Sequence, residues 1–592
     1  MVNVAYEIER LVKFAVRKKM ITVWDIIPVR NSLMAVLNVE EPFEGEVIDD
    51  GCETPVEILE NILDYAYEKG IIEENTTTYR DLLDAKIMGL VMPTEGQVVK
   101  KFYEKAEKDS IDKATDWYYD LSKSSNYIMT ERVNKNLWWL APTEYGDLEI
   151  TVNLSKPEKD PKEIAKAKLM KAATYPKCLL CVENVGYQGR LNHPARQNHR
   201  VIPLELQNKQ WYMQYSPYVY YNEHCIVFSG KHEPMKLTKD SLTRLVEFID
   251  KFPHYFIGSN ADLPIVGGSI LTHDHYQGGR HKFPMEMAAI EKTYTNHKFE
   301  DVEIGTVKWP MTVVRLSSNN KDKVINAAME IYNSWKGYSD EENDILAYSG
   351  DVPHNTVTPI ARRNGDAYEM DIVLRNNRTT EEYPDGIFHP HAELHHIKKE
   401  NIGLIEVMGL AVLPGRLQNE LELIADLLCD NTKYNREEAL NNPSLDKHVP
   451  WIEDLIEQNR NVSLEEARRI LSKRVQSFKN GGVLEDKNLI PEGSLHKNKH
   501  DIIDSKPELE DKITEKGIPV IGKDESGEVQ QFAEIEENEL VVSKSTSSTL
   551  EDFYKQYQEN PSDDLAVECG KFLVQEILKN TDDRTGLIKS VK

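Results

Sequence analysis

Cysteine is scarce in this chain, with six residues among 592. A secreted disulfide scaffold needs a much higher density of cysteine, so these few thiols exclude that class of protein. The chain also contains no apolar run that approaches the ~18 residues of a membrane-spanning helix. Its first residues lack the basic stretch and apolar core of a signal peptide. We therefore expect a cytoplasmic protein without a membrane partner.

Positive charge is also in short supply. Lys and Arg number 72 against 99 Asp and Glu, which gives a formal net charge of −27. Such a surface repels the phosphate backbones of nucleic acids and the headgroups of anionic membranes. The composition therefore excludes broad nucleic-acid binding, and we expect no nucleic-acid partner.

What the chain does have is the composition of a large globular protein, with 40% hydrophobic and 29% charged residues. At about 150 residues per domain, the length predicts roughly four structural units. Helical periodicity recurs over 5–19, 56–69 and 98–124. It predicts a mostly helical N-terminal region over 1–145.

The character of the sequence changes between residues 148 and 415. Short β-rich stretches alternate there with isolated helical patterns, which predicts an α+β fold with a largely antiparallel sheet. The predicted strands cover 148–154, 218–228, 312–316 and 368–374, and the predicted helices cover 238–251 and 321–336.

The C-terminal region, 451–592, is predicted to be helical at first and acidic later. A capping-box pattern predicts a helix over 463–478. Residues 501–564 contain 18 acidic and 6 basic side chains, with many Ser and Thr and few aromatic residues. That composition favours a solvated, weakly ordered segment, which a short apolar helix over 565–578 follows.

Two histidines, His273 and His275, stand one residue apart in a glycine-rich segment, and Gln277 follows at the same spacing. On a strand these three side chains share one face. The flanking glycines let backbone amides approach the anionic oxygens of a phosphate closely. A neutral imidazole can attack phosphorus, so this segment is a candidate for nucleophilic phosphoryl chemistry. The alternative is a pair of partly buried structural histidines.

Cys178 and Cys181 are separated by two residues, a spacing that offers half of a tetrahedral zinc site. The sequence has no second pair of this kind, so histidines must complete the site, and His232 and His273 are the candidates. The alternatives are a thioredoxin-like redox pair or two buried cysteines without a ligand. The redox interpretation is disfavoured because both intervening residues are leucines.

A second histidine-rich stretch covers 388–396 and is predicted to form a strand. Its alternate residues would then offer three imidazoles and a carboxylate to one face: His389, His391, Glu393 and His395. His354 could join them. Such a group could hold a metal ion or bind phosphate, and the alternative is a solvated polar strand edge.

Two clusters of arginine stand out in this acidic chain. Arg196 and Arg200 belong to the first, and Arg375 and Arg378 form the second. Guanidinium groups match phosphate oxygens in a bidentate geometry, so these residues are candidate phosphate ligands. The alternative is ordinary surface charge.

Several segments together resemble the second class of the galactose-1-phosphate uridylyltransferase family, within the histidine-triad superfamily. They follow one another within residues 5–475 and cover 176–181, 192–200, 221–225, 267–275, 353–356 and 395–404. The resemblance implies an α+β fold with two histidine-triad-like antiparallel halves, 146–290 and 291–450. A helical N-terminal region would precede these halves, and a helical and acidic C-terminal extension would follow them.

In the first class of this family, the second histidine of a His-Pro-His-x-Gln motif attacks the α-phosphorus of UDP-glucose. The resemblance implies that His275 is this nucleophile, with Asp274 in the place of the proline. It also implies that Gln277 holds the non-transferred phosphoryl oxygens and that Asn260 contacts the nucleotide. The pyrophosphate would lie among a glycine turn and nearby arginines: Gly267, Gly268, Ser269, Arg196, Arg200, Arg375 and Arg378.

The resemblance also implies two metal sites. A structural zinc ion would be bound at four matching positions: Cys178, Cys181, His232 and His273. Iron or another second metal would be bound in part by three further histidines: His354, His389 and His391.

The implied function is a ping-pong transfer of UMP from UDP-glucose to galactose 1-phosphate through a uridylyl-histidine, in the Leloir pathway of galactose metabolism. One alternative is a sugar-nucleotide or dinucleotide phosphorylase that uses the same histidine. Another is a catalytically silent metal-binding or interaction protein. The chain could act as a homodimer.

Overall fold

The structure is a computed structural model of the chain. It describes residues 2–48, 51–154, 174–268, 270–399, 402–459, 461–477, 518–523 and 529–535, with side chains up to residue 471. The chain divides into two compact units, Met1–Lys497 and Asn498–Lys592. Among the helices in the described ranges, none combines the length and the apolar character that a membrane crossing requires.

The first unit begins with a series of amphipathic helices: α1 (Val4–Arg17), α2 (Ile26–Leu37), α3 (Val56–Glu68), α4 (Thr77–Leu90), α5 (Glu95–Lys108), α6 (Ile111–Ser124) and α7 (Thr130–Val133). The helical pattern over 98–124 is divided between α5 and α6 because Ser110 caps the second helix. Its side-chain oxygen accepts the backbone N–H of Lys113.

A small sheet follows the helices, and it combines neighbouring strands with one from late in the chain: β1 (Leu137–Thr143), β2 (Gly146–Asn153) and β15 (Leu410–Pro414). The first two strands pair antiparallel, and β15 pairs parallel to β2. The N-terminal region that was expected to be mostly helical therefore ends in a strand.

The central feature is a ten-stranded antiparallel sheet assembled from two halves. The first half contains β3 (Ile202–Leu206), β4 (Lys209–Tyr215), β5 (Cys225–Ser229), α8 (Lys239–Lys251), β6 (Phe256–Gly258) and β7 (His275–Gly279). After α9 (Pro284–Met287), the second half contains β8 (Ile290–Tyr294), β9 (Glu303–Val307), β10 (Val313–Ser318), α10 (Lys321–Lys336), β13 (Asn355–Asn364) and β14 (Ala367–Asn376). A separate short hairpin consists of β11 (Tyr348–Ser349) and β12 (Val352–Pro353).

Both halves follow the same path. Each has a three-stranded meander, a helix and two further strands, of which the last inserts beside the meander. The strand order is β3-β4-β5-β7-β6-β13-β14-β10-β9-β8, so the halves join through β6 and β13. This arrangement confirms the predicted α+β class with two antiparallel halves.

Two expected strands differ in the structure. Of 218–228, only the end lies in a strand, Cys225–Ser229, because turns occupy the residues before it. The predicted histidine strand over 388–396 is wrong: the stretch contains turns and a 3₁₀ helix, Ala392–Leu394. Pro390 lies between the histidines and lacks the N–H that an inner strand must donate.

The C-terminal part of the first unit is helical: α11 (Leu404–Val407), α12 (Leu417–Cys429), α13 (Arg436–Asn441), α14 (Val449–Gln458) and α15 (Leu464–Ser477). In the second unit, the structure describes an antiparallel pair, β16 (Ile518–Lys523) and β17 (Val529–Ile535). Both strands contain β-branched residues, which favour extended backbone. These strands lie within 501–564, and the weak order expected for that segment stays a prediction. The expected helix over 565–578 lies outside the described residues.

The two faces of the large sheet have different surroundings. Helices α8 and α10 pack on one face, where Val227, Ile257 and Tyr276 join the core that the N-terminal helices share. On the opposite face, Ile360 and Val373 belong to a second core formed with β2, β15 and the C-terminal helices. The strand register places His275, Gln277 and Asn260 on this second face.

Buried charge also lies on the second face. Arg315 donates to both carboxylate oxygens of Asp371, at 2.7 and 3.0 Å, and Arg362 donates to the same carboxylate at 2.9 Å. Burial alone would raise the pKa of Asp371, but Arg362 and Arg315 hold it below its usual range. Arg315 also donates to the carbonyl of Met285, so this network ties α9 to the sheet.

We expect Asp371→Asn to lower the free energy of unfolding by about 3–5 kcal/mol, because it removes the carboxylate that both buried guanidinium groups share. Chemical denaturation followed by tryptophan fluorescence measures this loss. The matched control is Asp301→Asn, which removes a carboxylate from an exposed pair with Lys323 and should leave the transition unchanged. Equal transitions for the two variants would contradict the role given to the buried network.

Candidate active site

Four side chains converge on one point beside the first half of the sheet. Cys178, Cys181, His232 and His273 offer ligand atoms that all lie within 4.8 Å of one another. The two sulfur atoms are 3.5 Å apart, and each lies near an imidazole Nδ1: 3.2 Å between Cys178 and His273, and 3.3 Å between Cys181 and His232. Within the ranges that the structure describes, this is the single group of three or more such residues able to hold a metal ion.

Local hydrogen bonds hold this group in place. Asn184 donates through its side-chain amide to the carbonyls of Cys178 and Cys181, each at 2.8 Å. His273 Nε2 donates to the carbonyl of Ser229 at 2.8 Å, which directs its Nδ1 toward the sulfur atoms. Such outer hydrogen bonds are the usual way in which a metal-binding histidine is oriented.

The donor set suits a tetrahedral metal ion. Tetrahedral bonds of the usual zinc lengths separate sulfur and nitrogen ligand atoms by about 3.5–3.8 Å, close to the distances in this group. Burial would raise the pKa of both thiols. Hydrogen bonding from His273 nevertheless lowers the pKa of Cys178 to about 6, whereas burial and the neighbouring sulfur raise that of Cys181 to about 11. A cation at this point would favour the thiolate form of both cysteines.

His275 is the first residue of β7, and its side chain is buried. Its Nδ1 lies 2.8 Å from the backbone carbonyl of His273. A carbonyl only accepts, so the proton lies on Nδ1, and Nε2 carries the lone pair. Burial lowers the pKa of His275 to about 4, which keeps the ring neutral. The structure therefore contains the hydrogen bond that a nucleophilic histidine needs.

The strand register places further residues beside His275. Gly258 pairs with Gln277 on one side and with Ile360 on the other, so these three occupy one row across the sheet. The pairing continues where the N–H of Ser259 donates to the carbonyl of Pro359 at 3.0 Å. In the order of the strands across the sheet, the next row of the same face therefore contains His275, Asn260 and Thr358.

Asn260 is buried between the glycine turn and a loop of the second half. Its Oδ1 accepts the backbone N–H of Leu404 at 2.9 Å, so its amide nitrogen faces Gly268. A Cβ on Gly268 would lie 2.6 Å from this nitrogen, and one on Gly267 would lie 2.7 Å from the carbonyl of Ala261. Close packing therefore requires glycine at both positions. Ser269 lies outside the described residues.

His224 orients the side chain of Gln277. Its Nδ1 donates to the carbonyl of Tyr218 at 3.2 Å, and its Nε2 lies 3.1 Å from Gln277 Oε1. Burial lowers the pKa of His224 to about 4, so the ring is neutral and Nε2 can only accept. The neutral ring therefore favours the rotated amide, in which a Gln277 N–H donates to His224.

A cavity of about 1140 Å³ opens on this side of the sheet. Tyr218 and Tyr220 form part of its wall and contact His224, so the cavity lies one residue layer from Gln277. Its walls carry one carboxylate, that of Asp81, and six basic side chains: Arg132, Arg190, Arg196, Lys398, Lys399 and Arg416. In a chain with a net charge of −27, such a cavity attracts an anionic ligand.

Comparison with known proteins decides the family. The family description "Galactose-1-phosphate uridyl transferase" matches residues 21–234 with its N-terminal domain and residues 247–442 with its C-terminal domain. The chain belongs to the galactose-1-phosphate uridylyltransferase family. This confirms the resemblance seen in the sequence motifs and places the chain among nucleotidyltransferases.

Relatives of the family match most of the chain. The galactose-1-phosphate uridylyltransferase of Caldanaerobacter subterraneus is 58% identical over 80% of this chain and 92% of its own length. That of Bacillus subtilis is 53% identical over 76% of this chain and 87% of its own length. Among solved structures, the yeast Ap4A phosphorylase Apa2 matches 55% of this chain and 89% of its own length, at 10% identity and a TM-score of 0.26.

The four expected phosphate-binding arginines differ in their surroundings. Arg196 lines the cavity and lies over the ring of Tyr127. Arg200 does not line it, because its guanidinium donates to the carbonyls of Pro93, Gln197 and His199. Arg375, on β14, is buried and does not line the cavity either.

Arg378 is also engaged elsewhere than in the cavity. Its guanidinium donates to the backbone carbonyl and the carboxylate of Asp344, at 2.7 and 3.2 Å. An arginine with its own carboxylate partner is a weak candidate for a phosphate ligand. The sequence places it in one cluster with Arg375, which is why it is a candidate phosphate ligand there.

The second metal site that the resemblance implied does not form from the expected histidines. His354 bonds with Asn377 and Ser349, whereas His389 Nε2 accepts the backbone N–H of Ile402 at 3.1 Å. His391 Nε2 donates to the carbonyl of Ile387. The three rings thus have separate partners, and these residues do not fit a shared iron or other metal ion.

Some residues of the site were not predicted from the sequence. His224 lies in the matching segment 221–225, but its bond to Gln277 depends on the pairing of β5 with β7. Arg132 and Lys398 face the cavity from the N-terminal helices and from the loop before α11. The pair of lysines at 398 and 399 within a matching segment was the available signal.

We expect protein purified without chelator to contain about one metal ion per chain. Cys181→Ser should lower both the metal content and the thermal midpoint, because metal binding and folding are coupled. Elemental analysis and thermal unfolding provide the two measurements. The control is Cys52→Ser, which removes a thiol near the N-terminus and should change neither. An unchanged metal content in Cys181→Ser would disprove the site.

Proposed function

We propose that this enzyme transfers UMP from UDP-glucose to galactose 1-phosphate through a covalent uridylyl group on His275, as a step of the Leloir pathway. Its family supports the overall reaction. The observation that carries the mechanism is the hydrogen bond from His275 Nδ1 to the carbonyl of His273, since it leaves Nε2 unprotonated at neutral pH.

In the first half-reaction, His275 Nε2 attacks the α-phosphorus of UDP-glucose. A P–N bond forms as the P–O bond to glucose 1-phosphate breaks, and the electron pair leaves with that phosphate. In the second half-reaction, a phosphate oxygen of galactose 1-phosphate attacks the same phosphorus, the P–N bond breaks, and UDP-galactose leaves. Both leaving groups need no protonation, so the enzyme's main task is placement and charge stabilisation.

Residues around His275 stabilise the charge that develops. The imidazole becomes positive when its Nε2 bonds to phosphorus, and the carbonyl of His273 stabilises that charge through Nδ1–H. Gln277 donates one N–H to His224 and the other to a non-transferred phosphoryl oxygen. Asn260, in the row of His275, contributes its amide N–H beside the glycine turn.

The metal that the four-residue group would hold is proposed to be zinc. With two cysteines and two histidines, all four positions are filled by protein, so zinc bound there has a structural role without an open position for substrate. The chain's own contribution is the orientation of His273, whose ring lies in this group and whose carbonyl accepts from His275.

The basic cavity is proposed to hold the sugar nucleotide. Its volume of about 1140 Å³ is adequate for a large ligand. Arg196 and Lys399 supply positive charge at the cavity wall for this anionic ligand. The phosphorylase alternative predicts inorganic phosphate as the second substrate, so supplying phosphate or galactose 1-phosphate to the uridylylated enzyme distinguishes the two reactions.

We expect wild-type enzyme mixed with UDP-glucose to gain the mass of one UMP, and His275→Ala to gain none. His275→Ala should keep less than about a hundredth of the activity, since acid–base effects alone are worth ~10²–10⁴. Intact mass spectrometry and a coupled assay make these measurements. In His275→Gly, added imidazole should restore some turnover. Normal turnover by His275→Ala would refute covalent catalysis.

We expect His224→Phe to lower kcat by about tenfold, because Gln277 then loses the partner that orients its amide. Phenylalanine keeps the ring contact with Tyr221, whose centroid lies 4.5 Å from that of His224. In a Gln277→Ala background, the same substitution should cause no further loss. Steady-state kinetics of wild type, the two single variants and the double variant provides the measurement. Additive losses in kcat would mean that His224 acts on the fold alone.

A further inference from the structure

Three arginines are buried on the His275 face of the second half, and one of them differs from the others. Arg315 and Arg362 bind the carboxylate of Asp371, and Arg362 also pairs with Glu369. Arg375 is as deeply buried, with 5% of its surface exposed. Its guanidinium has no carboxylate partner among the described residues.

The contacts of Arg375 are made with neutral groups. It donates to the carbonyl of Ile402 at 2.9 Å and, over a longer distance of 3.4 Å, to the hydroxyl of Thr358. Glu406 acts on Arg375 through space without a direct contact. Its carboxylate binds the ammonium of Lys398 at 2.6 Å and accepts the N–H of Gly403 at 3.1 Å. A buried charge without a counter-ion is costly, so the fold supports Arg375 best when an anion binds to it.

His389 lies at the same loop as the carbonyl that Arg375 binds. Its Nε2 accepts the backbone N–H of Ile402, the residue whose carbonyl Arg375 binds. The ring proton therefore lies on Nδ1. That atom is buried and makes no hydrogen bond of normal geometry, and the acceptor that acts on the ring is the backbone of Pro390. Buried donors without a good partner are rare in proteins, and a bound water, ion or ligand is one explanation for them.

The register places this pair of donors beside the catalytic row. Thr358, which Arg375 contacts, lies in the row of His275 and Asn260. Neighbouring strands are about 4.8 Å apart, so Thr358 is about 10 Å from His275 along the row. Arg375 reaches back toward this row from β14, on the same face. A phosphate bound there would be adjacent to one that is attached to His275.

We propose that Arg375 and His389 bind the phosphate group of the hexose 1-phosphate, which leaves in the first half-reaction and attacks in the second. The inference rests on the proposed function, because it assigns one of the two phosphates of that reaction. The transferred phosphorus must contact His275 and Gln277, so it cannot occupy the position of Arg375. The phosphate that is not transferred is therefore the anion that can bind to the Arg375 guanidinium.

The test measures the binding of glucose 1-phosphate and of UMP separately, by titration calorimetry on free enzyme. Arg375→Gln should weaken glucose 1-phosphate at least tenfold and UMP less than twofold. The matched control is Arg363→Gln, which removes the same charge from the other face of β13, and it should leave both affinities unchanged. Thermal unfolding of each variant shows whether it is folded. Equal weakening of the two ligands, or no weakening, would overturn the assignment.

His389 is tested by two substitutions and a metal analysis. His389→Gln keeps an acceptor for Ile402 and a donor for the phosphate, so it should bind glucose 1-phosphate much better than His389→Phe. Both should contain as much metal as wild type, and a loss of metal would show that His389 is a ligand instead. If wild-type enzyme gains no UMP from UDP-glucose, the proposed function is wrong. If wild type gains UMP but Arg375→Gln binds both ligands as Arg363→Gln does, only this inference is wrong.

Discussion

One residue, His273, connects the metal-binding group with the candidate nucleophile. Its Nδ1 lies at the cysteine sulfurs, its Nε2 donates to Ser229, and its carbonyl accepts the Nδ1 proton of His275. The ring position and the carbonyl position are thereby fixed by the same bonds. The tautomer of His275 depends on that carbonyl. The chemistry proposed for His275 therefore depends on the residues that would hold the metal ion.

The sequence predicted those parts of the site that depend on local spacing. Cys178 and Cys181 are near one another in the chain, and His273 and His275 alternate on a strand, so their arrangement follows from short-range geometry. Contacts between strands could not be predicted in this way. The bond between His224 and Gln277 and the row from His275 to Thr358 depend on a register that sequence periodicity does not specify.

The wrong predictions have physical causes of the same kind. The histidine strand over 388–396 fails because Pro390 interrupts any inner ladder. Arg200 and Arg378 were grouped with phosphate ligands by their residue type, but backbone carbonyls and Asp344 bind their guanidinium groups. Residue type indicates what an arginine can bind, whereas its partners in the fold determine whether it remains available.

The repeated topology explains how two phosphates could be held apart on one continuous face. The halves join edge to edge through β6 and β13, so the last strands, β7 and β14, lie on either side of that junction. The first half contributes His275 from β7, and the second contributes Arg375 from β14. The row that begins at His275 crosses the junction through Asn260 to Thr358, and Arg375 contacts the Thr358 hydroxyl from the next row. Separate strands can thus position the transferred group and its exchange partner without competing for the same donors.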